Sequence, residues 1–449
     1  MKQVFRRSLL LLLLIALLGG GVLFFCLRYT DAGDQWAAFS ANDHDYTDGR
    51  LTSGQILDRN GLILYDAASD NYCDDISVRR ATLHAVGDSG RNIATSVRAT
   101  MENRLVGFNP LTGTVGDGHR LYLTLDADLC SAALKELGRR KGTVGVYNYK
   151  TGDILCMVST PTFDPADPPR IDEENSAYDG VYLNRFLSAS YTPGSVFKIV
   201  TAAAALEKLP DVTERNFTCT GSTAIGDETI TCPHVHGEMN FYDALARSCN
   251  TVFSQLAVEL GGETLEEYAR SGGLLKSQTV SGIKTAAGSF SPAESWELGW
   301  SGVGQYQDLV NPCAMMTLMG AIAGEGHTAA PRLLQRETGL LSLGVPTDKP
   351  EAVRIGWKPS TCRTLQEMMA YNVETVYGQS NFGELALCAK SGTAEVGTGR
   401  APHAWFTGFL RDPDHPLAFV VVVENSGSGA SVAGPIASRI LRKAAACEE

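Results

Sequence analysis

Positive charge is in short supply in this chain. Its 449 residues carry 38 Lys and Arg against 50 Asp and Glu, a formal net charge of −12. The clustered cations that neutralise nucleic-acid phosphates are missing, and no DNA or RNA partner is expected. Charged residues of both signs make up only 20% of the chain and apolar ones 44%, which argues against disorder. No internal repeat or long low-complexity stretch is present, so repeat architectures are excluded. The length predicts two or three folding units at about 150 residues each.

Charge is absent from Ser8 to Leu27, a Leu-rich run broken only by Gly19, Gly20 and Gly21. As a helix rising about 1.5 Å per residue it crosses a hydrocarbon core of roughly 30 Å. No small-x-small pair follows it, and Phe24 and Phe25 precede Cys26 where lipoprotein processing requires small residues. An uncleaved anchor is therefore expected, not a signal peptide. A buried soluble helix is seldom apolar on every side over such a length. Lys2, Arg6 and Arg7 precede the run, whereas Arg28 is followed by Asp31 and Asp34. The positive-inside rule predicts a cytoplasmic tail over 1–7, a membrane anchor over 8–28, and an extracytoplasmic remainder.

Eleven cysteines are many for an exported chain, and the odd count leaves at least one unpaired. Cys156, Cys313 and Cys388 sit singly in apolar stretches and read as small core residues. Cys219 and Cys232 bound a short polar segment followed by His234 and His236. Three readings stay open: a local disulfide, two reduced cysteines on paired strands, or a Cys/Cys/His/His metal site whose spacing is not a standard zinc pattern.

From about Tyr29 to Gly118 the chain is polar and irregular, with strand-like Gly54–Leu57 and Leu62–Tyr65 flanking the turn Asp58-Arg59-Asn60-Gly61, a hairpin signal. A small β-rich unit is predicted over 29–118. Beyond it, Leu121, Leu123 and Leu125 alternate as in a strand, and Leu129, Ala133, Leu134 and Leu137 repeat at helical spacing. Thr143–Asn148 and Ile154–Ser159 form a second predicted hairpin. Leu385–Lys390, Ala404–Leu410 and Leu417–Glu424 read as strands and Pro435–Ala446 as a closing helix. Between the two strand groups, roughly Asn184 to Met369, apolar periodicity is helical. The fold class is therefore α+β over 119–449, one sheet assembled from both ends of the unit with a large helical insertion.

The chemistry concentrates in Tyr191-Thr192-Pro193-Gly194-Ser195-Val196-Phe197-Lys198, which leads into an Ala-rich helix ended by Pro210. Ser195 falls at the first turn, where unpaired N–H groups favour developing negative charge. Lys198, one turn on and in apolar surroundings, is poised to be a neutral amine that takes the serine proton. Ser-x-x-Lys alone is cheap: Ser281-Gly282-Ile283-Lys284 matches it in a Gly-flanked loop. Order makes the first set selective, because Ser248-Cys249-Asn250 and Lys390-Ser391-Gly392-Thr393 follow it. The look-alikes Ser40-Ala41-Asn42, Ser69-Asp70-Asn71 and Lys150-Thr151-Gly152 all precede it.

The ordered set Ser-x-x-Lys, Ser-x-Asn and Lys-Ser/Thr-Gly resembles that of penicillin-binding proteins. Specifically, the chain resembles the class B, monofunctional D,D-transpeptidase type. Supporting segments are Gly54–Gly61, Lys150–Ile154, Asp164-Pro165, Leu183-Asn184-Arg185, His236-Gly237 and Ala404-Trp405-Phe406. The resemblance implies a penicillin-binding/serine β-lactamase-like transpeptidase domain over 119–449, an accessory pedestal domain over 29–118 and a transmembrane helix. It implies Ser195 as nucleophile toward a D-Ala-D-Ala stem peptide or a β-lactam, Lys198 as base and Ser248 as proton relay. Asn250 is expected to contact the donor peptide or hold Lys198. Lys390 supplies positive potential, the hydroxyls of Ser391 and Thr393 meet the substrate carboxylate, and Gly392 leaves room for a peptide along the strand edge. The N–H groups of Ser195 and Thr393 are the implied oxyanion hole.

No metal or organic cofactor is required by this chemistry. A membrane glycosyltransferase of the SEDS type is the implied partner, since the short tail and accessory region leave no room for a fused polymerase. One departure is Ser53 where the family usually has Arg before Gly54, which puts any salt bridge from that position in doubt. The competing enzyme readings are a β-lactamase or a D,D-carboxypeptidase. The competing non-enzyme reading is a β-lactam-binding scaffold or sensor, and a tail of about seven residues is too short for an output domain.

Overall fold

The strand groups read from opposite ends of the chain meet in one sheet. The computed structural model describes residues 2–37, 46–47, 50–51, 54–106, 118–171, 175–291, 295–338, 351–397 and 399–447. The central sheet is antiparallel throughout, in the order Leu387–Ala394, His403–Leu410, Leu417–Val423, Gly142–Asn148, Ile154–Thr160. Every residue of the last three strands is buried, because helices cover both faces. Pro312–Ala323 packs on one side, and Ala127–Leu137 with Gly434–Cys447 on the other. The Val-rich run thus lies in a doubly covered interior. The closing helix spans Gly434–Cys447, slightly longer than its apolar pattern implied.

The insertion between the strand groups is mainly helical. Lys198–Lys208 is its innermost member, buried along residues 198–205 and packed against Asn250–Leu260, Gly262–Ser271 and Pro359–Asn372. Its Ala-rich sequence lets these helices approach closely. The insertion also holds short strands that helical periodicity did not reveal, among them two ribbons close together in sequence. Phe217–Cys219 pairs with Gly237–Met239, and Ser222–Ile225 with Glu228–Thr231.

A second, mixed sheet is built from the N-terminal region and one strand of the insertion, in the order Leu334–Thr338, Arg120–Leu123, Gln55–Leu57, Ile63–Asp66, Asn71–Tyr72. The hairpin at Asn60-Gly61 forms as read, with Gly61 at φ +89°. The strand expected at Leu121–Leu125 also forms, but it lies parallel to Gln55–Leu57 and antiparallel to Leu334–Thr338. Its hydrogen bonds therefore join it to the N-terminal sheet and not to the central one. The joint is reinforced by the buried Asp58, whose carboxylate accepts from the N–H groups of Asn60, Leu62 and Ala127. Arg79 and Asp164 add a bidentate pair at 2.7 and 2.6 Å. Ser53 and the Ser40-Ala41-Asn42 look-alike lie outside the described residues.

At the N-terminus, Lys2–Ala37 is a single helix. Its segment Arg7–Leu27 has a mean hydropathy of 2.9 and no burial within the protein, so it is long and apolar enough to cross a membrane.

Candidate active site

Ser195 sits in the tight turn Gly194–Phe197, which runs directly into the helix Lys198–Lys208. The turn is clamped from three sides. Gly194 N–H donates to Gly304 O at 2.8 Å, and Trp405 Nε1–H donates to Thr192 O at 3.0 Å. Gly194 itself has φ +57°, and a Cβ there would come within 2.6 Å of Thr393 O. Only glycine allows both that conformation and that approach.

Lys198 is fully buried, and four oxygens surround its Nζ: Ser248 O and Asn250 Oδ1 at 2.7 Å, Ser195 Oγ at 3.0 Å and Ser248 Oγ at 3.2 Å. The two nearest are acceptors only. A neutral amine has two N–H bonds and one lone pair, so if both N–H bonds serve those acceptors the lone pair is left facing the hydroxyls. Burial lowers the Lys198 pKa to about 7, against a smaller upward pull from the Cys249 and Cys232 sulfurs. Ser248 holds this geometry at φ +54°, a strained value for a residue with a side chain. The Asn250 amide donates its Nδ2–H to Thr231 O at 3.0 Å, so both ends of that side chain already have protein partners.

The third segment reaches the same point. Lys390, on the strand Leu387–Ala394, is also fully buried and donates to Ser248 Oγ at 3.1 Å and Ser391 O at 2.9 Å. The Ser248 hydroxyl therefore lies between two amines. Burial, with the Lys198 charge adding to it, holds the Lys390 pKa well below the ordinary lysine range. The positive potential expected of Lys390 is thus favoured once an anion arrives beside it.

Ser391 is positioned by Tyr377, a residue outside every motif. The Tyr377 hydroxyl accepts from Ser391 N–H at 2.8 Å and donates to Ser391 Oγ at 3.0 Å, leaving the serine's own proton for another acceptor. Thr393 is exposed, and its carbonyl accepts from Gln305 Nε2–H at 3.3 Å. Gly392 corrects its expected role. A Cβ there would meet Pro193 O at 2.8 Å, Val196 Cγ1 at 3.0 Å and Trp405 Cβ at 3.1 Å. Glycine at this position seats the strand against the turn carrying Ser195, which is a packing requirement within the protein.

The look-alike motifs have other duties. Ser281 Oγ accepts from the N–H groups of Leu333 and Leu334, and Lys150 Nζ donates to Pro413 O. Of the three open readings for Cys219 and Cys232, the structure draws no disulfide, and all eleven cysteines stand as free thiols. The two lie on neighbouring hairpins, and the cluster they join contains His236 and Cys249, with His234 offering only its carbonyl to Cys219. Cys249 was missed because it lies inside the Ser248–Asn250 motif, and Tyr377 because a lone tyrosine after a helix carries no signal.

Comparison with known proteins follows the same lines. A family model described as penicillin binding protein transpeptidase domain matches residues 142–442. The peptidoglycan D,D-transpeptidase PbpA of Mycolicibacterium smegmatis is 28% identical over 324 residues, covering 67% of this chain and 66% of that protein. The chain thus spans about two thirds of that relative's length. The crystal structure of PBPA from Mycobacterium tuberculosis is 26% identical with a TM-score of 0.76, covering 88% of this chain and 99% of that one. The penicillin G acyl-enzyme complex of M. tuberculosis penicillin-binding protein A gives 25% identity and a TM-score of 0.75, covering 88% of this chain and 99% of that one.

Two outcomes are expected from this geometry. The reactive form has Lys198 unprotonated, so the rate of acylation by a penicillin should rise from mildly acidic pH through about 7 and then level off; a rate flat from mildly acidic to alkaline pH, or one that climbs only near the ordinary lysine value, would contradict it. Tyr377→Phe removes both bonds to Ser391 and should lower the acylation rate constant roughly three- to tenfold, with the thermal midpoint showing whether the fold is retained.

Proposed function

The chain belongs to the penicillin-binding protein transpeptidase domain family, and from that premise we propose that it is a peptidoglycan D,D-transpeptidase acting through a serine acyl-enzyme. The observation that carries the proposal is the Lys198 amine 3.0 Å from Ser195 Oγ, with Ser248 O and Asn250 Oδ1 as its two nearest acceptors.

In this reading Lys198 takes the Ser195 proton as Oγ attacks the penultimate D-Ala carbonyl of a stem peptide. The N–H groups of Ser195 and Thr393 receive the tetrahedral oxygen, each such donor typically contributing roughly 3 to 4 kcal/mol. Close contact between the Gly194 turn and the Thr393 carbonyl supports that assignment. Ser248, within reach of both amines, returns the proton to the departing D-Ala nitrogen as the C–N bond breaks. The terminal carboxylate is met by Lys390, Ser391 and Thr393, and its charge offsets the cost of burying an ammonium at Lys390. Asn250 serves as holder of Lys198. A side-chain amine of a neighbouring stem peptide then attacks the acyl-enzyme carbonyl, releases Ser195 and forms the cross-link. A β-lactam enters by the same first step and stays attached because its ring-opened remnant is not expelled.

The organisation assigned with this function is a tail over 1–7, an anchor over 8–28 with the N-terminus cytoplasmic, a pedestal over 29–118 and a transpeptidase domain over 119–449. The apolar helix Arg7–Leu27 supports the anchor. A SEDS-type glycosyltransferase in the same membrane supplies the glycan strands to be cross-linked.

Fluorescent penicillin should label the membrane-bound protein, and mass spectrometry should find the adduct on the peptide containing Ser195. Ser195→Ala should abolish labelling while leaving the thermal midpoint in place. Persistent labelling of that variant would reject the nucleophile, and adduct turnover within seconds would favour a β-lactamase.

A further inference from the structure

The geometry points to a structural zinc site, formed by Cys219, Cys232, His236 and Cys249, that fastens the small β-lobe of the insertion to the Ser248–Asn250 segment. The four donor atoms lie within 4.8 Å of one another. Cys232 Sγ is 4.0 Å from Cys249 Sγ and 3.5 Å from His236 Nδ1. With Zn–S of about 2.3 Å and Zn–N of about 2.0–2.1 Å, tetrahedral coordination requires S···S near 3.8 Å and S···N near 3.6 Å. Cys232 thus stands at ligand spacing from both Cys249 and His236, and Cys219 lies within 4.8 Å of all three. A disulfide would account for two sulfurs and leave the third sulfur and the imidazole converging on nothing.

The lobe gives an independent reason for a fastening. Its four strands, Phe217–Cys219, Ser222–Ile225, Glu228–Thr231 and Gly237–Met239, each bury a single residue. Two-stranded ribbons of three or four residues with so little apolar surface are not stable alone, and small units of this kind rely on metals or disulfides. Three of the proposed ligands come from the lobe. The fourth, Cys249, lies between Ser248 and Asn250, at the start of the helix Asn250–Leu260.

The surroundings complete the site. Asn250 N–H points at Cys232 Sγ at 3.4 Å, the kind of outer hydrogen bond that steadies a metal-bound thiolate. Half-buried His236 gives an ion access, while the three cysteines are buried. Three thiolates and one imidazole select a soft or borderline cation with tetrahedral preference, which is zinc among the common divalent ions. Binding forms three Zn–S bonds and one Zn–N bond and releases the thiol protons to solvent. Because Asn250 and Ser248 both contact Lys198, a zinc ion at Cys249 would hold their backbone, strained at Ser248, in register with that amine. This catalytic consequence rests on the function proposed above; the metal site itself does not.

Elemental analysis of the full-length protein in detergent, purified without chelator, should find one zinc per chain. Replacement by Co2+ should give thiolate-to-cobalt charge-transfer bands and the intense d–d absorption of tetrahedral cobalt. Cys219→Ser and His236→Ala, both outside the catalytic motifs, should lose the metal and slow penicillin acylation roughly tenfold or more. Removing zinc from the unaltered protein with a chelator should slow acylation likewise, and adding Zn2+ should restore it. The wild-type cobalt spectrum decides the matter even if both variants fold poorly. Absence of zinc with no uptake of Zn2+ or Co2+, octahedral cobalt bands, or a Cys219–Cys232 disulfide in the native protein would overturn the site. Metal present with acylation unaffected by its removal would overturn the coupling to Ser248 and Asn250. Acylation failing in every form with zinc bound would instead count against the proposed function.

Discussion

An amine sealed away from water, with oxygen atoms on several sides, is the constraint on which the rest of this protein depends. Lys198 has no exposed surface, and its two nearest partners can only accept hydrogen bonds. Burying an ammonium costs several kcal/mol unless it is paired. Here the two acceptors are neutral, so the site tolerates the neutral amine and directs its reactivity. Much of the surrounding architecture serves to keep those acceptors in place. The helix Lys198–Lys208 delivers Nζ, the left-handed Ser248 turns its own carbonyl inward, and Asn250 is braced through Thr231.

The central sheet fixes the other side of the cleft. Its edge strand Leu387–Ala394 carries Lys390 to the Ser248 hydroxyl and presses Gly392 against the turn of Ser195. That strand is registered residue by residue on His403–Leu410, so Trp405 opposes Gly392 and is placed to bond the carbonyl of Thr192. A shift of one residue would turn Lys390 away from the cleft. Register in the sheet and chemistry in the site are thus a single constraint. Arg185 and Tyr191 both donate to Glu424 Oε1, at 2.7 and 2.9 Å, tying the approach to Ser195 to the end of the strand Leu417–Val423.

Much of this was legible in the residues themselves. Alternation and Val-rich runs marked the five strands of the central sheet, and the ordered motifs marked the residues that converge on Lys198. Three features were hidden, each for a physical reason. The strand Arg120–Leu123 carries a pattern compatible with either sheet, and only its hydrogen-bond partners decide between them. Tyr377 acts through a hydroxyl that no spacing rule picks out. The donor cluster at Cys219, Cys232, His236 and Cys249 draws on four positions at irregular spacing, and one of them is concealed within a catalytic motif. His234, suggested by proximity in sequence, is not among the four donors and meets Cys219 through its carbonyl.

The central claim concerns the charge of one side chain, and it can be read directly. NMR titration of the Lys198 side-chain amine, assigned by comparison with Lys198→Arg, should show half-protonation near pH 7. Titration at the ordinary lysine value of about 10.5 would contradict the account.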